Sequence, residues 1–460
     1  MSDAVNKKHF ELTRELIEEI KNSIANNELE KVREMFANLH PVDIAEIYDE
    51  LNIDEAKYVH LLLPSELASE VISELDEEVR DRFLKVLPGH IIADKVIKNI
   101  ESDDAADIIA DLPEEKQADV LSSIKNVKQA SDIIDLLNYE EDTAGGLMAK
   151  ELVVVNKNLT IRECLVHLRK QAEKVKNIYY IYVVDDDNKL VGTLSLKKLL
   201  LADSHKRVID ICNTDVISVH TDTDDEEVAN LMHKYNLIAL PVVDSIGRLV
   251  GKITIDDVVD VIKEEAEKDY QMMSGITEDV ESSDSVFKLT RARLPWLVIG
   301  LFGELLGSRV IGMFEGDIVK YAGLALFMPL IAAMGGNSGV QSSSIIVQSI
   351  ASGNLGIESI WKKIGKEFMI AIINGIFLSL IVAVFTYTFQ TSWILSISIS
   401  IALLSVIVFA SLFGTIVPLV LHKMKIDPAV ATGPFITTSN DILGFLIYFS
   451  IARLIFSIYG

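Results

Sequence analysis

Asp441 closes the polar run Thr437-Thr438-Ser439-Asn440-Asp441 inside an otherwise apolar stretch of a 460-residue chain. It lies about seven residues past the start of that stretch, roughly 10 Å deep at 1.5 Å per residue. No cation neighbours it in sequence. A lone carboxylate at membrane depth is costly, so it marks either a functional position or a hydrogen-bonded structural one. A second intramembrane stretch runs from Pro329 to Gln341 as Pro-Leu-Ile-Ala-Ala-Met-Gly-Gly-Asn-Ser-Gly-Val-Gln and carries Asn337. Pro329 removes a backbone donor, and Gly335, Gly336 and Gly339 permit local unwinding or close approach. Two readings stay open: the wall of a pore, or a tight helix contact built from small residues. A third group, Asp103, Asp104, Asp107 and Asp111, recurs at helical spacing, so several carboxylates share a side. They face either solvent or a cation. Carboxylate, amide and carbonyl oxygens with no His or Cys cluster favour hard cations. Mg²⁺ holds its waters and binds through one or two carboxylates, whereas Ca²⁺ takes more direct oxygens. The sparse Asp441 and Asn337 set suits the former.

These residues need a membrane to sit in. Hydrophobic residues make up 49% of the chain. A helix needs about 20 apolar residues to cross the hydrocarbon core, and five segments qualify, near 294–314, 319–341 (interrupted by the glycines), 366–389, 393–421 and 434–458. Lys288, Arg291 and Arg293 precede the first. Lys362, Lys363 and Lys366 follow the second, and Lys423 and Lys425 the fourth. By the excess of basic residues in inner loops, the N-terminus is cytoplasmic and the C-terminus outside. Glu304 and Arg309 in the first span either pair across a turn or face a partner.

Residues 295–460 carry a net charge of +1, and the remaining 294 carry −26. An acidic soluble half excludes nucleic acid, which needs clustered Lys and Arg. It suits divalent cations or a solvated surface. Cys164 and Cys212 form no CxxC pair, which argues against zinc and a disulfide framework. The charged first dozen residues lack the apolar core of a signal peptide. Neither Gly365-Lys366 nor Gly251-Lys252 has the context of a phosphate loop. With no nucleophile–base or catalytic-metal constellation, an enzyme is not expected.

Residues 1–138 read as a helical repeat. Pro41, Pro64, Pro88 and Pro113 recur 23, 24 and 25 residues apart, each followed by apolar residues at helical spacing. Proline suits a first helical turn, and this period suggests stacked helix pairs, an α-solenoid; a plain helical bundle is the alternative. Residues 139–265 hold a duplication at a constant offset of 59: Val183-Val184-Asp185 with Leu190-Val191-Gly192, and Val242-Val243-Asp244 with Leu249-Val250-Gly251. Each copy reads as strand, turn, strand, helix. The second carries Leu-Pro-Val-Val-Asp from Leu240 and Gly-Arg-Leu-Val-Gly-Lys-Ile-Thr-Ile-Asp-Asp from Gly247. This resembles a tandem pair of CBS domains, a regulatory α/β module. The resemblance implies adenine-nucleotide binding, such as ATP, with Asp257 on the ribose; Lys198 replaces that residue in the first copy. Dimerisation alone is the alternative role. Residues 266–293 continue as a charged helix and linker into a transmembrane domain at 294–460.

Taken together, Gly335-Gly-Asn-Ser-Gly-Val-Gln-Ser342, the run from Asp427 to Asp441 and Asp142-Thr-Ala-Gly-Gly-Leu-Met148 resemble the MgtE-type magnesium channel family. The resemblance covers nearly the whole chain in the same order: helical N domain, CBS pair, connecting helix, five spans. It implies a homodimeric Mg²⁺-selective channel of the cell membrane, with Asp441 and Asn337 in the pore. It also implies cytosolic Mg²⁺ sensing by Glu70, Asp103, Asp107, Glu226, Asp257, Asp260, Glu265 and Asp269. Lys268 stands where an acidic residue is expected. A different class of function, a membrane-anchored CBS nucleotide sensor that conducts nothing, accounts for the CBS pair but not for Asp441.

Overall fold

The computed structural model describes residues 12–75, 77–173, 175–278, 280, 284–351, 360–390, 392–431 and 433–459. The chain divides into two compact units, Met1–Ile262 and Lys263–Gly460.

In the first unit each proline-led repeat is two helices. Pro41–Glu50 is followed by Ile53–Leu62, Ser65–Ser73 by α1 (Glu77–Val86), and Gly89–Lys95 by α2 (Ser102–Ala110). Glu114–Ser123 and Val127–Leu136 complete the series. First helices of successive repeats pack on one another, as do several of the second helices, which is solenoid stacking rather than a simple bundle. Pro41 opens its helix, and the other three prolines sit one residue earlier, at the cap. Either position tolerates the missing N–H.

The two α/β copies have the same topology. Strands β1 (Val154–Asn156), β2 (Ile181–Val184) and β3 (Leu190–Leu194) form one sheet, and β4 (Val219–His220), β5 (Ala239–Val243) and β6 (Leu249–Thr254) the other. In each, a parallel pair is followed by an antiparallel hairpin, with Val183 opposite Gly192 and Val242 opposite Gly251. The helices between are α3 (Ile161–Ala172) and α4 (Asp225–Tyr235); α5 (Ile255–Met273) leaves the second copy. The first copy has its own core around Val183, Leu194 and Cys164. The second shares one continuous core with the helical repeat, in which Leu240, Ile253 and Val258 belong to the same cluster as Ile108 and Ile109. That shared core holds α2 against the second copy.

Among its described residues the second unit contains five helices long and apolar enough to cross a membrane: α6 (Val286–Gly312), α7 (Met328–Ala351), α8 (Ile360–Gln390), α9 (Trp393–Lys423) and α10 (Gly433–Tyr459). The helix of the first span starts eight residues before its expected beginning. The second span differs more. It is entered through a 3₁₀ turn, Ala322–Phe327, and then runs unbroken through the glycines to Ala351. Pro329 lies in its first turn, where it breaks no hydrogen bond. Along its serine-rich end, hydroxyls are satisfied by the carbonyl one turn back, Ser342 to Ser338 O at 2.9 Å and Ser349 to Ile345 O at 2.8 Å.

Candidate functional site

The glycines of α7 serve close packing. A Cβ on Gly339 would collide with the Asn440 side chain, and one on Gly414 of α9 with the Gly339 backbone. A Cβ on Gly336 would fall 3.3 Å from Thr437 Cγ2. So α9 meets α7 backbone to backbone and side chains of α10 lie directly on the α7 backbone, the small-residue contact available in apolar surroundings. The unwound alternative is set aside for Gly335, Gly336 and Gly339. Asn440 is buried between these helices, its Nδ2 donating to Gly335 O at 3.5 Å.

Asn337 and Asp441 escape that packing. Asn337 points off the buried face of α7 and is exposed in the single chain. Asp441 is half-buried, eight residues into α10, about 12 Å along its axis. Glu304 of α6 lies close enough for the two carboxyls to act on each other. Glu304 Oε2 also lies 3.8 Å from where a Gly307 Cβ would be, beside Ile442. Among the described residues Glu304 forms no ion pair with Arg309 or with any other cation. A small-residue face on α6 makes this approach possible: Gly303 leaves room for Thr438 where any Cβ would collide.

The connector has its own acidic contact. Asp269, on the last turns of α5, faces Asp427 in the loop between α9 and α10, and Glu265 one turn back. Burial, then these two carboxylates, push Asp269 up to about 6. Asp427, part of a motif in the sequence, joins the acidic set in the structure. Lys268, the residue out of pattern, forms an ion pair with Glu265 at 2.8 Å. Beyond α5, Gly275 has φ +81°, which favours glycine, and a Cβ there would meet Pro434 Cγ at 2.7 Å. The end of the connector thus touches the start of α10, two turns from Asp441.

In the first unit the acidic residues of α2 face the start of α5. Asp103 is 7% exposed. Burial, then Asp257, Asp104 and Glu101, hold its carboxyl well above the usual range. Asp107 reaches solvent, yet desolvation and Asp104 raise it to about 7. Asp257 is raised to about 6 by burial, with Asp256 and Asp104 adding to it. Asp257 Oδ2 also accepts from Thr254 N at 2.8 Å and Thr254 Oγ1 at 2.9 Å, capping α5. This carboxylate, assigned to a ribose or to a cation from sequence, therefore faces the helical repeat. Nearby cations are already engaged: Lys252 Nζ with Glu101 at 3.1 Å, and Lys176 Nζ with Glu70 at 3.9 Å. Glu226 is exposed in the first turn of α4, and Asp260 is exposed one turn along α5. Among the described residues no group of three or more His, Cys, Asp or Glu converges tightly enough to hold a bare metal ion.

Family models for an MgtE intracellular N domain match residues 39–142, CBS domains 144–205 and 208–264, and a divalent cation transporter domain 328–451. The magnesium transporter MgtE of Bacillus subtilis is 33% identical over 95% of this chain and 97% of its own length. That of Thermus thermophilus is 34% identical over the same shares. The chain belongs to the MgtE family. The MgtE-type order of domains, and the five apolar helices of a multi-pass membrane protein, follow from that membership. Its named relatives are magnesium transporters rather than enzymes. A crystal structure of the cytosolic domain of the Mg²⁺ channel MgtE in complex with ATP is 38% identical. It matches with a TM-score of 0.50 over 53% of this chain and 99% of that one.

Proposed function

We propose that this chain forms a Mg²⁺-selective channel, opened for passive uptake and closed by Mg²⁺ on its cytosolic side. The observation that carries the reading is Asp441. It is an intramembrane carboxylate accompanied by Glu304, with Asn337 left uncovered on the single chain. Polar groups so placed are tolerated at membrane depth only against protein or water. A second copy supplies that cover, so the assembly is a homodimer with the ion path at its interface. A hydrated cation then meets Asp441, Glu304 and Asn337 through its water shell. The N-terminus is cytoplasmic and the C-terminus outside. At 100 mV, inside negative, a divalent ion gains roughly 4.6 kcal/mol on entry, so no fuel is needed.

Closure uses the crowded carboxylates. Without cations, Asp103, Asp107 and Asp257 repel one another, as do Glu265, Asp269 and Asp427. Mg²⁺ relieves both sets, with Glu70, Glu226 and Asp260 contributing to the same acidic faces. The ion shifts the equilibrium only by its preference for the closed arrangement. The contact of Gly275 with Pro434 supports transmission to α10. ATP at the CBS pair is supported by the ATP-bound relative. Asp257 would then serve nucleotide and cation in turn. Neutralising Asp103, Asp107 and Asp260 together tests the gating: patch currents should lose their block by millimolar cytosolic Mg²⁺. Unchanged block would refute the sensor.

A further inference from the structure

We infer that Arg80 is a tethered cation that holds a divalent ion's place at the acidic face of α2 and sets the Mg²⁺ concentration at which that face closes. The inference rests on the sensor reading above. Arg80 projects from α1, and its Nη2 donates to Asp111 Oδ2 at 3.0 Å. The side chain is 19% exposed. Its charge also acts on Asp104 and Asp107, where it opposes the repulsion of the neighbouring carboxylates. A guanidinium stays charged at all working pH and is built for two-pronged pairing. Here Nε is buried with no acceptor, so the fork is half used. Arg80 thus places one fixed positive charge beside Asp104, Asp107 and Asp111.

The charges around it set the direction of the effect. Asp103, Asp104, Asp107, Asp111 and Glu141 supply negative charge, and Lys176 adds a second positive charge at Asp104. A divalent ion approaching Asp104 and Asp107 therefore works against a fixed positive charge. Removing that charge strengthens the attraction for free Mg²⁺. A purely structural arginine would do the opposite, since its loss would loosen the face and weaken closure.

The test uses the full-length protein in liposome patches, titrating cytosolic-side Mg²⁺ against current. Arg80→Gln should close at a concentration lower by about three- to tenfold, and Arg80→Lys should stay near the parent. The Asp103→Asn, Asp107→Asn double variant should move the other way. If Arg80→Gln is unchanged or closes at higher Mg²⁺ while the aspartate variant shifts, the placeholder role is refuted. If the aspartate variant does not shift either, the sensor reading itself fails. Should the glutamine variant not assemble, Arg80→Met takes its place. Failure of both to assemble makes Arg80 structural and overturns the inference.

Discussion

At the scale of single residues, the informative positions are polar groups denied their ordinary partners. His60 is the simplest case. Its ring is fully buried between Tyr48 and Phe83, and neither nitrogen has a hydrogen-bond partner. Burial, then Lys95, push it down to about 4. The folded state thus refuses a proton that the unfolded chain accepts below about 6.5. Stability should be unaffected above that value and fall as pH drops toward 4, by on the order of 3 kcal/mol in all. Thermal melts of His60→Phe should lack that part of the acid sensitivity; an equal loss in both proteins would contradict it. Asp103, Asp107 and Asp257 carry the opposite sign. Their raised values mean the packed acidic face binds protons more readily than separated carboxylates do. In divalent-free buffer, lowering pH from 8 to 6 should therefore increase protease protection of the junction between the helical repeat and the second α/β copy. Protection that falls over this range would refute the crowding.

At the scale of elements, the difference between what sequence reveals and what it hides has a physical cause. The prolines at 41, 64, 88 and 113 announced the helix pairs because proline constrains its own backbone. The 59-residue duplication announced two equal sheets because alternation and turn residues are local. Gly335, Gly336 and Gly339 were ambiguous, since glycine permits both unwinding and close approach, and only the positions of α9 and α10 decide between them. Glu304 meeting Asp441, Asp427 meeting Asp269, and Arg80 among the α2 carboxylates were not legible. Each joins residues far apart in sequence, and no periodicity reports such a meeting. The packing account makes its own prediction. Gly339→Ala should lower the melting temperature and the yield of assembled protein, because overpacking costs about 1–3 kcal/mol. Gly312→Ala, where a Cβ meets open space, should do neither. Equal tolerance at both positions would mean that α7 and α10 are not in close contact.

At the scale of the whole molecule, the first 294 residues carry a net charge of −26 and the rest a net charge of +1; in the proposed function the acidic part senses Mg²⁺ and the nearly neutral part conducts it. Relatives named as magnesium transporters are alike over almost the whole chain, so the order of domains belongs to the family rather than to one motif. What distinguishes a channel from a membrane-anchored sensor is whether the intramembrane carboxylate faces an ion path. The direct measurement is Mg²⁺ flux into liposomes holding purified protein, driven by an imposed potential, for the parent and for Asp441→Ala. The account predicts robust uptake by the parent and its loss in the variant, with both proteins equally well assembled. Undiminished Mg²⁺ uptake by Asp441→Ala would contradict it.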